Sequence, residues 1–277
     1  MTFEHVGTWQ FAILITGTVI FLVAPIVIAI IWTVRKKERF TTILTGAVCF
    51  LLFAIILEKP IQNAIIMPDH ALSRFINARP VLWAFVVGLF PGIFEESGRF
   101  IAFMTVLKNR KNRETGISYG IGHGGFEIIL VLGMMYVTYI MYGVMINSGT
   151  FGTVVDKVRA TAPDQMDQVY LVARTLAGFS ISDLGVSIVE RILAMMFHIG
   201  ASILIFYSVR DKNRRWLYPL AIVLHTIMDG IVGLNMKKVI ELSAWGLEAV
   251  CGIISVLIFF GAYFLLYRKD RADSNGI

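Results

Sequence analysis

The chain alternates long apolar runs with short polar connections. Apolar runs cover about 9–34, 41–58, 81–107, 116–143, 184–209, 216–235 and 242–267. A helix needs about 20 apolar residues to cross a hydrocarbon layer of about 30 Å. The pattern therefore predicts an all-α polytopic transmembrane helical bundle of about seven spans, the second of them short. No polar stretch exceeds about 40 residues, so residues 1–277 read as a single integral-membrane domain without internal repeats. Two connections are longer than turns. Residues 59–80 include a mildly amphipathic piece at 71–76 that suits the membrane interface. Residues 145–183 read as an ordinary loop with an interfacial helix or, alternatively, as a lid over a site.

Composition agrees with this pattern: 57% of residues are hydrophobic and 16% charged, and mean hydropathy is +0.73. The net charge of +6 does not call for nucleic acid, because the basic residues are confined to short loops. Arg35, Lys36, Lys37 and Arg39 follow the first span, and Lys108, Arg110, Lys111 and Arg113 the third. Arg210, Lys212, Arg214 and Arg215 follow the fifth, and Arg268, Lys269 and Arg271 the seventh. That is fifteen cations on one side against eight in the other loops, which places the N-terminus outside and the C-terminus in the cytoplasm. Cys49 and Cys251 fall in apolar runs without metal-ligand spacing. The first run is too long for a signal peptide and lacks a basic leader.

Within the spans lie ionisable groups that bilayer insertion disfavours by at least about 3 kcal/mol each. The densest stretch is Phe94-Glu95-Glu96-Ser97-Gly98-Arg99, where Arg99 is four residues after Glu95 and three after Glu96, within reach of either. Pro91, one turn earlier, removes a helical hydrogen bond and leaves a carbonyl for a neighbour to satisfy. The fourth span carries Gly116, Gly120 and Gly124 at four-residue intervals, a ladder that permits close helix approach. Glu127 projects from that face. His123 reads slightly more readily as a hydrogen-bonded packing histidine than as a ligand. His198 stands alone in the fifth span, whereas His225 and Asp229 share one face of the sixth. Glu190, Arg191 and Glu248 lie nearer the outer surface, where packing roles suffice. Counted from the cytoplasmic ends, Glu95, Glu127, His198 and His225 sit roughly 14–18 Å deep at 1.5 Å per residue. Four helices thus bring an acid or imidazole to one level near the midplane, which points to a site and not to scattered structural pairs.

These motifs resemble those of the CAAX-protease and bacteriocin-processing membrane peptidases and the related PrsW proteases. Glu95-Glu96-x-x-Arg99 matches the first motif, Glu127 the glutamate of the next helix, His198 a lone later histidine, and His225-x-x-x-Asp229 the last. The Gly122-His123-Gly124-Gly125-Phe126-Glu127 stretch looks closest to the YhfC family of intramembrane metallopeptidases. The CAAX-type Phe-x-x-x-His motif is missing, since Glu127 follows Phe126 directly, so a prenylated substrate is not implied. The resemblance covers roughly residues 80–235. It implies an endopeptidase of a bacterial cell membrane that cleaves a membrane-associated protein, with the lipid bilayer as its surroundings. On this reading Glu95 is the general base, fixed by Glu96 and Arg99. Glu127, His198 and His225 hold a zinc ion, and Asp229 supports or joins them. A metal-free reaction with Glu95 activating water stays open. So do an ion- or proton-coupled transporter and an inactive membrane scaffold.

Overall fold

The computed structural model describes residues 3–67 and 69–270; Arg271 of the last basic loop lies outside them. Among the described residues there is no strand, and seven helices are long and apolar enough to cross a membrane. They are α1 (Thr8–Lys36), α2 (Phe40–Ile66), α3 (Pro80–Met104), α4 (Glu114–Asn147), α5 (Ile181–Arg210), α6 (Leu217–Met236) and α7 (Ala244–Asp270). Shorter helices at Ala71–Asn77, Gly152–Thr161 and Met166–Ala177 occupy the two long connections.

The second span is longer than its apolar run. Instead of ending near Glu58, α2 continues through Lys59 and Pro60 to Ile66. Pro60 has no N–H to give the preceding turn, and the helix meets it with a widened π-helical stretch at Phe50–Glu58. A second widened stretch, Ile128–Gly133, begins directly after Glu127 in α4. Such stretches are enriched at functional sites.

The described residues form two compact units. One comprises those of Met1–Ile26 and Ile128–Ile188. Within it, two hydrogen bonds join Asn147 to the backbone of Val6, at 2.9 and 2.8 Å, and the buried Tyr136 donates to Ser187 Oγ at 3.1 Å. The other comprises those of Val27–Glu127 and Val189–Ile277, and it contains every ionisable residue singled out above for a site.

In this second unit, helices meet backbone to backbone where the sequence supplies glycine. A Cβ on Gly92 of α3 would lie 2.6 Å from Thr226 Oγ1 and 2.8 Å from Ile222 O of α6. A Cβ on Gly120 of α4 would lie 2.6 Å from Ile199 Cα of α5. On the opposite side of α4, Gly122 rests on the backbone of Ile43 in α2. Contacts this close lock helix rotation, and rotation decides which side chains face inward. The carbonyl freed by Pro91 is that of Val87, and Gln62 of the extended α2 donates to it at 3.2 Å. Phe103 packs on Tyr119 (centroids 4.9 Å apart) and edge-on against Phe206 (5.5 Å), joining α3, α4 and α5.

Candidate metal centre

Glu96 lies one turn beyond Gly92 on α3, so the tight α3–α6 approach carries it against His225. Glu96 Oε1 is 2.8 Å from His225 Nδ1, and Asp229 Oδ2 is 3.7 Å from His225 Nε2. Glu95, about 100° around the helix, faces α4 instead. Its Oε2 is 2.9 Å from His123 Nε2. Glu127 completes the series, with Oε2 2.5 Å from His198 Nε2. Three glutamate–imidazole pairs therefore bridge α3–α6, α3–α4 and α4–α5.

Arg99 stands at their centre and is wholly buried. Nη1 donates to His198 O at 3.0 Å and to Ser202 Oγ at 3.2 Å. Nη2 lies 2.6 Å from His198 Nδ1 and 3.5 Å from Glu95 Oε2, and Nε lies 3.6 Å from Glu96 Oε2. A guanidinium in a protein only donates, so His198 Nδ1 is the acceptor. The other ring nitrogen then carries the proton and faces Glu127. Arg99 offsets one of the two charges on the buried carboxylates Glu95 and Glu96, and each carboxylate has an imidazole partner besides, His123 or His225.

Glu95, His123 and His198 each offer one ligand atom within 4.8 Å of the other two, and all three residues are buried. Two imidazoles and a carboxylate are a donor set that zinc accepts in catalytic sites. One orphaned buried atom adds to the fit. His123 Nδ1 makes no hydrogen bond, whereas Glu127 Oε2 faces the protonated Nε2 of His198 at 2.5 Å. The residues therefore suit a metal ion, with one condition. His198 has one nitrogen against Arg99 and the other against Glu127, so a metal ion held by it displaces one of the two.

Of the residues the sequence singled out, Glu127 and His198 come together. His225 does not join them closely: its ring centroid is 5.9 Å from that of His198, and its partner is Glu96. Asp229 sits beside His225 and is half-buried. His123, read as a packing residue, is a member of the three-residue group. Its signal was the i,i+4 spacing to Glu127, which sets both on one face of α4. The sequence puts Arg191 nearer the outer surface, where a packing role suffices. Its Nη1 donates to Glu127 Oε1 at 2.9 Å, while Nη2 contacts Glu190. Arg191 and His198 are seven residues apart, nearly two full turns, which puts them on one face of α5.

The model of the YhfC intramembrane metalloprotease family matches residues 19–250. The chain is also 31% identical over 263 residues to the protein named "Uncharacterized membrane protein YhfC" of Bacillus subtilis (strain 168), covering 92% of this chain and 94% of that relative. No solved structure matches. With seven apolar helices and a relative named as a membrane protein, the chain is an integral membrane protein, and a bacterial cell membrane fits it. It belongs to the YhfC intramembrane metalloprotease family.

Proposed function

We propose that this protein hydrolyses a peptide bond of a membrane-associated protein at the level of the bilayer midplane, using water activated beside Glu95, His123 and His198. The observation that carries this reading is the buried approach of these three side chains from α3, α4 and α5, with a further carboxylate, Glu127, at their edge. Glu95, His123 and His198 would hold the metal ion, zinc by the chemistry of the donor set. Bound there, it would lower the pKa of water and polarise the scissile carbonyl.

The remaining roles belong to the chain itself. Glu127 is the general base. It is less enclosed than Glu95 or Glu96, Arg191 holds its Oε1, and its Oε2, now against His198 Nε2, would be freed to take a proton once that nitrogen held the metal. This exchanges the roles expected from the sequence, where Glu95 was the base and Glu127 a ligand. Arg99 ties α3 to α5 through His198 O and Ser202, fixing the distance between Glu95 and His198. The Glu96–His225–Asp229 series holds α6 beside them.

A second reading, without metal, is favoured by one contact, that of Arg99 Nη2 with His198 Nδ1. Here Arg99 would remain in place, Glu95 would activate water, and the imidazoles would donate to the developing oxyanion.

The test is cleavage of a membrane-tethered reporter by the purified protein in proteoliposomes. Glu127→Gln is expected to lower the rate by about 10²–10⁴-fold, the usual effect of losing a general base, while keeping bound metal. Glu95→Gln is expected to lose both. Metal kept by Glu95→Gln would overturn the role assignment, and a wild type that cuts no membrane-tethered peptide would overturn the function.

A further inference from the structure

The third span ends at Met104, and a basic loop follows it. Between this end of α3 and the end of α5 lies a cavity of about 490 Å³ with Lys108, Arg110, Lys111 and Arg210 on its walls. A second cavity of about 310 Å³, which also has Met104 and Val209 in its walls, adds Arg215. No acidic side chain among the described residues lines either cavity. Arg210 is paired with Asp270 at 3.0 Å, and the Arg110 side chain donates to the Thr41 hydroxyl at 3.2 Å. Lys108, Lys111 and Arg215 have no ion-pair partner among the described residues.

Apart from Ser208, whose hydroxyl donates to Ile205 O at 2.7 Å, the rest of the lining is apolar or aromatic. Phe103, Leu107 and Phe206 form part of the first cavity, and Phe100 and Tyr218 part of the second. Met104, shared by both, is itself exposed. Cations over an apolar floor, at the end of membrane-spanning helices, match one ligand chemistry. That ligand is a phosphate with hydrocarbon attached.

We propose that these neighbouring cavities, which share Met104 and Val209 in their walls, bind the headgroup of an anionic phospholipid, with Lys108, Lys111 and Arg215 on its phosphate and an acyl chain along Met104, Phe103 and Val209. Basic recesses between membrane helices on the side rich in Lys and Arg recognise anionic headgroups in this way. A zwitterionic lipid gains less, because its own cation offsets the phosphate. The positive-inside bias accounts for the loop cations but not for a recess that gathers unpaired ones over an apolar floor. The inference is independent of whether the protein cleaves peptides.

The experiment is native mass spectrometry of the full chain released from nanodiscs of phosphatidylcholine with a minor fraction of phosphatidylglycerol. The wild type is expected to retain phosphatidylglycerol in preference to phosphatidylcholine. The K108Q/K111Q/R215Q variant is expected to lose that preference by about 100-fold, at about fivefold per cation near an anionic headgroup. Its charge-preserving counterpart, K108R/K111R/R215K, is expected to keep it, and an unchanged unfolding midpoint for both variants separates loss of binding from loss of fold. If the triple Gln variant does not fold, the same reading is taken from K108Q/K111Q alone, with about 25-fold expected. Equal retention of the two lipids by the wild type, or preference unchanged in the Gln variants, would overturn the proposal. So would displacement of phosphatidylglycerol by millimolar inorganic phosphate, which would identify a free-anion site.

Discussion

The approach of α4 to α5 at Gly120 sets the distance between His123 and Glu127 on one helix and His198 on the other. Substitution by alanine perturbs it with a single methyl group. The new Cβ would lie 2.6 Å from Ile199 Cα, 3.0 Å from His198 O and 3.1 Å from Ile199 N, whereas ordinary contact begins at 3.4 Å. All three atoms are backbone, so no rotamer change relieves the clash, and the helices must part by roughly 0.8 Å at that point. Overpacking of this kind costs about 1–3 kcal/mol. A displacement near 1 Å at reacting groups lowers rates by about 100-fold. Gly120→Ala is therefore expected to lower the unfolding midpoint in detergent, weaken metal retention and reduce reporter cleavage by one to two orders of magnitude. Gly116→Ala is the control. It is one turn earlier on the same face, but its Cβ would lie 3.3 Å from Phe206 Cβ and 3.4 Å from Ile203 Cα, so its effect should stay within about 0.5 kcal/mol. Equal behaviour of the two variants would refute the claim that Gly120 sets the geometry of the site.

Three further outcomes are expected. Gln62→Leu strips the Val87 carbonyl of its donor and should destabilise by about 1–3 kcal/mol. Adding Pro91→Ala supplies an N–H to the same carbonyl and should recover part of that loss, which a double-mutant cycle measures as coupling; strict additivity would contradict it. Arg99→Met leaves Glu95 and Glu96 buried without their cation, a loss of about 3–5 kcal/mol, and should prevent accumulation of folded protein, whereas Arg99→Lys should accumulate. Expression levels and unfolding midpoints decide. Finally, a reporter fused after Arg268 should behave as cytoplasmic and one inserted at Gln165 as external; the same side for both would mean the span count is wrong by one.

The spans were legible because apolar runs of membrane length have few other uses, and the shared depth of Glu95, Glu127, His198 and His225 pointed to a candidate site without any knowledge of packing. The partners within that site were not legible. Which glutamate meets which histidine depends on helix rotation, and rotation is set by backbone contacts such as Gly92 on Ile222 and Gly122 on Ile43, which join residues far apart in the chain. The partner of His123 was hidden because glycines surround it, and a histidine among glycines reads as close packing. Here the close packing is what brings the imidazole to Glu95. The contact of Arg191 with Glu127 was not legible from depth, since a long side chain reaches more than a turn along its helix. The extension of α2 past Glu58 was hidden by Lys59 and Pro60, which look like a helix end in sequence.

The most direct test is the metal content of the purified, metal-replete protein, determined by inductively coupled plasma mass spectrometry for the wild type and three histidine variants. One zinc ion per chain is expected in the wild type. It should be lost from His123→Ala and His198→Ala, since two remaining ligands rarely retain zinc, and kept by His225→Ala, whose imidazole is held by Glu96. Zinc lost from His225→Ala but kept by His123→Ala, or a folded wild type that binds none, would contradict a metal centre at Glu95, His123 and His198.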